Sequence, residues 1–207
     1  MGVSRRVFRG YGAALTIVLS LVAFDARSAA ATQPTTQAAL AAIRIGNFGQ
    51  ISDSYYRGEQ PTARDYPALA ALGVKTVIDL TKDGDRDEKQ LVERAGMQFH
   101  RIPMTTTDRP ADAAVDEFLK LVNDPANLPV YVHCQGGRHR TGVMTAVYRM
   151  TKDRWTADQA YKEMQKYKFE GFLDHPELRT FVYDYFKHLQ TAPQSTQAAT
   201  TMRRGGL

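Results

Sequence analysis

The sequence predicts one α/β domain: a small, mostly parallel central sheet with helices on both faces. Short β-branched and apolar runs alternate with amphipathic patterns, and Gly73 and Gly96 punctuate them. One apolar run, residues 128–132, leads directly into a glycine-bearing loop followed by a helical pattern. No internal repeat interrupts this alternation.

The elements follow in order. Thr62-Ala63-Arg64-Asp65 reads as a capping box with an acid in its fourth place, opening a helix that stops near Gly73. Residues 75–80 form a β-branched strand, and residues 86–95 a helix ending at Gly96. A second strand is expected over 97–102. A helix over 111–123 carries Val115, Phe118, Leu119 and Val122 on one face. The strand at 128–132 precedes a helix over 141–150. Thr156-Ala157-Asp158-Gln159 caps a helix running through Tyr167. Asp174-His175-Pro176-Glu177 opens a last helix to about Gln190, whose Leu178, Phe181, Val182, Tyr185 and Phe186 read as core contacts.

Residues 1–31 read as a secretory signal peptide outside the fold. Arg5, Arg6 and Arg9 form its basic region, an apolar stretch spans 11–24, and Ser28-Ala29-Ala30-Ala31 offers cleavage sites. A stretch of fourteen residues falls short of the roughly 20 of a membrane span, so a cleaved signal is favoured over an anchor. Ser4-Arg5-Arg6-Val7-Phe8 resembles a twin-arginine motif, and the expected location is the periplasm of a bacterium. No stable membrane insertion is expected after signal removal. Residues 32–43 read as a linker, 44–190 as the folded domain and 191–207 as a disordered tail. The whole chain carries a net charge of +5. Much of that excess lies in Arg5, Arg6, Arg9, Arg27, Arg203 and Arg204; between the signal and the tail, basic and acidic residues balance. Net charge therefore gives no support for a nucleic-acid partner. With one cysteine the chain has no internal disulfide, and a monomer held by packing is expected.

The chemistry concentrates in His133-Cys134-Gln135-Gly136-Gly137-Arg138-His139-Arg140-Thr141-Gly142. A free thiol titrates at about 8.5, so at neutrality little of it is the nucleophilic thiolate. A helix N-terminus presents unpaired N–H groups and a dipole that favour negative charge, and Cys134 lies just ahead of one. The backbone N–H groups of Gln135, Gly136, Gly137, Arg138 and His139 can then cradle phosphoryl oxygens, with Gly136 and Gly137 free to take positive φ. Arg140 supplies a planar fork for two of those oxygens. Thr141 offers a hydroxyl to the departing sulfur, and His133 supports the loop from behind. The expected reaction has two steps, attack by Cys134 on phosphorus and hydrolysis of the cysteinyl-phosphate, with neither metal nor cofactor.

Duller readings exist for each part. A lone cysteine after an apolar strand is often a core residue, but the glycines, arginine and helix start argue otherwise. A dinucleotide loop needs G-x-G-x-x-G, which is absent. His100, His133, His139, His175 and His188 with one cysteine give no zinc spacing.

The run HCQGGRHRTG fills every fixed position of H-C-x-x-G-x-x-R-T-G and resembles the protein tyrosine and dual-specificity phosphatase superfamily. Arg138-His139, together with the stretch from Asn47-Phe48 through Tyr56-Arg57-Gly58-Glu59-Gln60-Pro61-Thr62 and the following Leu72 to Leu80, is similar to the plant and fungal atypical dual-specificity phosphatases and their bacterial relatives. The resemblance covers about residues 44–190 and implies a single-domain phosphatase fold, Cys134 as nucleophile and Arg140 as phosphate clamp. It also implies a general acid on a separate loop, for which Asp108 within 104–110 is the candidate and Asp112 the alternative. Asp112 reads equally well as a first-turn acid, and Asp83 and Asp85 as turn formers. The expected substrate is a phosphorylated protein, with an inositol polyphosphate or pyrophosphate as the alternative. A module that binds phosphorylated ligands without turnover is the non-enzymatic rival.

Overall fold

The computed structural model describes residues 1–2, 36–170 and 175–191. The chain divides between Gln33 and Pro34 into two units, and the fold is that of the second. The signal-peptide reading and the tail from 192 onward lie outside the described residues.

Five strands form one sheet: β1 Gly49–Ser52, β2 Tyr55–Glu59, β3 Thr76–Thr81, β4 Gln98–Met104 and β5 Val130–Cys134. Their order is β1-β2-β5-β3-β4, with only the β1–β2 pair antiparallel. The helices are α1 Thr36–Ala42, α2 Tyr66–Ala71, α3 Glu88–Arg94, α4 Asp112–Asn123, α5 His139–Lys152, α6 Ala157–Lys166 and α7 Pro176–Thr191.

Strand alternation sends successive side chains to opposite faces of the sheet. Val130, Val132 and Cys134 of β5, with Ile78 and Leu80 of β3, pack with Phe118, Val143, Met144, Val147 and Phe181 of α4, α5 and α7. Tyr131 of β5 and Val77 of β3 face the other way, onto Tyr66, Leu69 and Val92 of α2 and α3. The same alternation separates His133 from Cys134.

Several boundaries differ from the sequence reading. The Thr62–Asp65 pair forms, but as a turn: Asp65 Oδ2 accepts from Thr62 N and Oγ1 at 2.7 Å, and α2 starts only at Tyr66. The Thr156–Gln159 capping box is present as read. The linker reading of 32–43 is corrected over α1, which is helical and sets Ala39 (5% exposed) into the second core. β1 and β2 were not anticipated, because Tyr-Tyr-Arg-Gly-Glu mixes a cation, a glycine and an acid where a buried strand is ordinarily apolar. Among the described residues no helix is long and apolar enough to cross a membrane.

Candidate active site

β5 ends on Cys134, and α5 begins five residues later at His139 with Arg138 as its N-cap. The fourteen-residue helix directs its positive end at the loop between them. Cys134 is free and 3% exposed. Arg140, in the first turn, is 7% exposed and its Nη1 donates to the Met104 carbonyl at 3.2 Å. Arg140 Nε and Thr141 Oγ1 are buried and make no hydrogen bond. The sequence reading assigns the first of these residues to the phosphoryl oxygens and the second to the departing sulfur.

The loop's carbonyls are held from behind. Gln60 N donates to Gln135 O at 3.1 Å, and Asn47 Nδ2 reaches Gly136 O at 3.4 Å and Gly137 O at 2.9 Å. Arg57 Nη2 donates to the same Gly137 oxygen. A trans peptide directs its N–H opposite to its carbonyl. Drawing the carbonyls of residues 135–137 back therefore turns the N–H groups of Gly136, Gly137 and Arg138 away from β1 and β2. This is the arrangement an anion-binding nest requires. Gly137 has φ +61, and a Cβ there would sit 2.4 Å from the Gly58 carbonyl. Gly136 takes no positive φ, and its Cβ would meet only the Arg138 side chain at 3.7 Å. The freedom expected of both glycines is needed at Gly137 alone.

His133 is fully buried on the opposite face of β5. Its Nε2 lies 2.8 Å from Glu88 Oε1, within ion-pair distance though out of hydrogen-bond alignment, and its Nδ1 lies 4.0 Å from Asp79 Oδ1. Arg101 contacts Asp79 at 2.7 Å and Glu88 at 3.6 Å, and Tyr66 Oη donates to Glu88 at 3.0 Å. Burial by itself would push the Glu88 carboxyl up, but His133, then Gln60 and Tyr66, hold it below the ordinary range. Donor atoms of Asp79, Glu88 and His133 fall within 4.8 Å of one another. Arg101 already supplies the cation there, so the cluster reads as an ion network supporting the loop rather than as a metal centre.

The cleft at the loop is lined by Gln60, Thr81, Asp83, Asp85, Gln135 and Arg140. Asp83 and Asp85, read as turn formers, thus stand beside the phosphate clamp. Asp108 lies in a separate cleft with Lys82, Met104, Thr105 and Arg109. Its Oδ2 accepts from Thr105 Oγ1 at 2.7 Å. The Asp108 loop is rooted at Met104, whose carbonyl Arg140 holds. Asp112 opens α4 and lines a groove with Arg109, Phe181 and Tyr185. The His139 ring packs against His175 at 3.9 Å and Phe169 at 5.5 Å. His175 Nδ1 in turn donates to Thr106 O at 2.9 Å, joining the phosphate loop's helix to the Asp108 loop. Sequence reasoning missed Asn47 and Arg57 as loop supports; their signal lay in the conspicuous polar stretch 47–61.

A mostly parallel sheet whose central strand delivers a cysteine, and a helix N-terminus carrying an arginine six residues on, define a cysteine-dependent phosphatase. Residues 47–178 match the family described as a DSP-PTPase phosphatase fused to NAD+ kinase, and the chain belongs to that family. It is 34% identical over 134 residues to the dual specificity protein phosphatase TpbA of Pseudomonas aeruginosa, a match covering 64% of this chain and 58% of TpbA. It is 24% identical over 140 residues to the inositol diphosphatase DSP2 of Oryza sativa, covering 65% of this chain and 68% of that one. A crystal structure of P. aeruginosa TpbA with phosphotyrosine superposes with a TM-score of 0.58 at 26% identity, covering 70% and 91% of the two chains. The core catalytic domain of the S. cerevisiae PP-IP phosphatase SIW14 superposes at 0.63 with 20% identity, covering 78% and 95%, and shares the fold.

Proposed function

We propose that this chain is a tyrosine or dual-specificity protein phosphatase. The observation that carries the reading is the loop itself: a buried free cysteine at a helix N-terminus, with the carbonyls of residues 135–137 drawn back and Arg140 buried in the first turn of that helix. Cys134 Sγ attacks phosphorus while the ester oxygen departs with a proton from Asp108. Arg140 and the loop N–H groups carry the charge of the transferring group. Water then attacks the cysteinyl-phosphate, releasing inorganic phosphate and the thiolate, to which Thr141 donates. TpbA, crystallised with phosphotyrosine, supports a phosphoprotein substrate.

An inositol phosphate is the second reading, supported by the likeness to DSP2 and by Arg138, a further cation at the mouth of the loop. A multiply phosphorylated ring uses more than one basic contact. The basic and apolar pattern of residues 1–31 supports the periplasm as the setting, which fractionation of cells expressing the full chain tests.

The deciding experiment measures kcat/KM, with EDTA present, on a phosphotyrosine peptide and an inositol polyphosphate side by side. Preference for the peptide and complete loss in Cys134→Ser are expected. Preference for the inositol compound, lost selectively in Arg138→Ala, transfers the assignment to the second reading. A folded wild type without turnover on either, or on p-nitrophenyl phosphate, leaves a phospho-ligand binding module.

A further inference from the structure

The reaction above gives no task to the guanidinium of Arg57, although this side chain is 0% exposed on β2, beside the central strand β5. β2 pairs with β5 in parallel, Arg57 opposite Val132 and Glu59 opposite Cys134. From that register the Arg57 side chain reaches the phosphate loop, and its Nη2 donates to Gly137 O. The guanidinium lies 4.0 Å over the Tyr167 ring, while Nε and Nη1 are buried without a hydrogen bond. Among the described residues no carboxylate stands within ion-pair distance of it.

A buried cation with no carboxylate is expensive, and an apolar side chain of the same length would fill the space at lower cost. Burial accordingly draws the Arg57 guanidinium below its ordinary range, opposed by Tyr55, Tyr167, Cys134 and, more weakly, Glu163. At the loop two negative charges can act on it, the Cys134 thiolate and the anion that the loop receives.

Taking the cysteine-phosphatase reading as its basis, we propose that Arg57 is a positioning residue for phosphate: it draws back the Gly137 carbonyl and sets a buried positive charge behind the phosphate loop. The drawn-back carbonyl commits the Arg138 N–H to the opposite side of that peptide. Asn47 supports the same oxygen from β1's side without adding charge. Arg57 and Arg140 therefore act from different sides, one behind the loop and one in the first turn of α5.

The test is calorimetric binding of inorganic phosphate to full-length wild type, Arg57→Met and Arg57→Lys, with kcat and KM on p-nitrophenyl phosphate measured in parallel. Removing the cation from Arg57 raises the phosphate Kd and KM together by about tenfold, with a smaller change in kcat. Arg57→Lys, which keeps the charge, recovers part of that loss. Arg57→Met melts no lower than wild type, because a costly buried charge has gone. An unchanged phosphate Kd in a folded Arg57→Met overturns the proposal, even where kcat falls through a smaller active fraction. Should Arg57→Met fail to fold, Asn47→Gly carries the test, since glycine takes the φ of +52 found at Asn47 without strain. Its phosphate Kd must rise, and an unchanged value overturns the carbonyl support. Phosphate binding is read without turnover, so an inactive wild type defeats the phosphatase reading and leaves this measurement standing.

Discussion

At the level of single side chains, the proposal that Asp108 protonates the leaving oxygen is tested against its acidic neighbours. Asp108 sits on the loop that Arg140 ties to the nucleophile through Met104, but its carboxylate is occupied by Thr105 and lines a neighbouring cleft. Asp83 and Asp85 line the cleft that Arg140 itself faces. An acid matters in proportion to how poorly the leaving group carries negative charge. Asp108→Asn is therefore expected to lower kcat/KM on phenyl phosphate by about 100-fold and on p-nitrophenyl phosphate much less. Asp83→Asn and Asp85→Asn should lower both substrates alike and only slightly. If the leaving-group dependence follows Asp83 or Asp85 instead, the acid belongs to the β3–α3 loop. The proposed nucleophile and clamp, Cys134 and Arg140, could be named from the sequence because they lie in one contiguous run, six residues from cysteine to arginine. Asn47 and Arg57 could not, because they meet the loop across sequence separations of 90 and 80 residues. Nothing local in a buried arginine says which carbonyl it will serve.

Among the elements, β5 shows how one strand serves two purposes. Alternation sends Cys134 to the α5 side and His133 to the α3 side, where Glu88 meets it. The helix carrying Glu88 was readable from residues 86–95, since Gly96 at φ +82 ends it. That its first acid would be fully buried was not readable, because an acid in a first turn ordinarily serves the helix dipole in solvent. The Glu88 carboxyl is held below its ordinary value of 4.5 despite burial. A carboxyl lowered by folding stabilises the native state above its unfolded value, and that contribution disappears as pH falls through the folded value. Glu88→Gln keeps the shape and removes this titration. Near neutral pH the variant is expected to lose about 3–5 kcal/mol, as when one partner of a buried ion network is removed. As pH falls from about 4.5 through the lower folded value the gap should narrow, because the unfolded wild type takes up the proton first and the native carboxyl follows. Urea unfolding at pH 7 and at pH 3 measures it; an equal gap at both would show that packing, not charge, holds α3 to β5. β2 gives the converse case. Its polar composition hid a fully integrated strand, because its arginine and glycine serve the loop beside them rather than the apolar core.

The molecule as a whole has no second thiol with which to protect its first. Cys134 is the single cysteine of 207 residues, so every thiol reaction of the chain occurs at the catalytic loop. Its sheet is closed by packing on both faces, and no disulfide stabilises it. A thiolate that attacks phosphorus also attacks peroxide, giving first a sulfenic acid. In proteins with a neighbouring cysteine that acid is trapped as a disulfide; here the outcomes are condensation with a backbone nitrogen to a sulfenamide, reduction by an external thiol or further oxidation. Hydrogen peroxide is therefore expected to abolish turnover completely, with recovery in dithiothreitol after brief exposure and none after long exposure, when sulfinic acid has formed. Cys134 is only 3% exposed, so an anion seated in the loop should shield what access remains. Saturating inorganic phosphate is expected to slow inactivation severalfold, in proportion to its occupancy of the loop. Intact-mass measurement alongside activity checks each stage, as one added oxygen for the reversible form and two or three for the irreversible ones. Turnover that survives excess peroxide, with Cys134 still open to alkylation, would remove the thiolate from the mechanism while leaving the fold untouched.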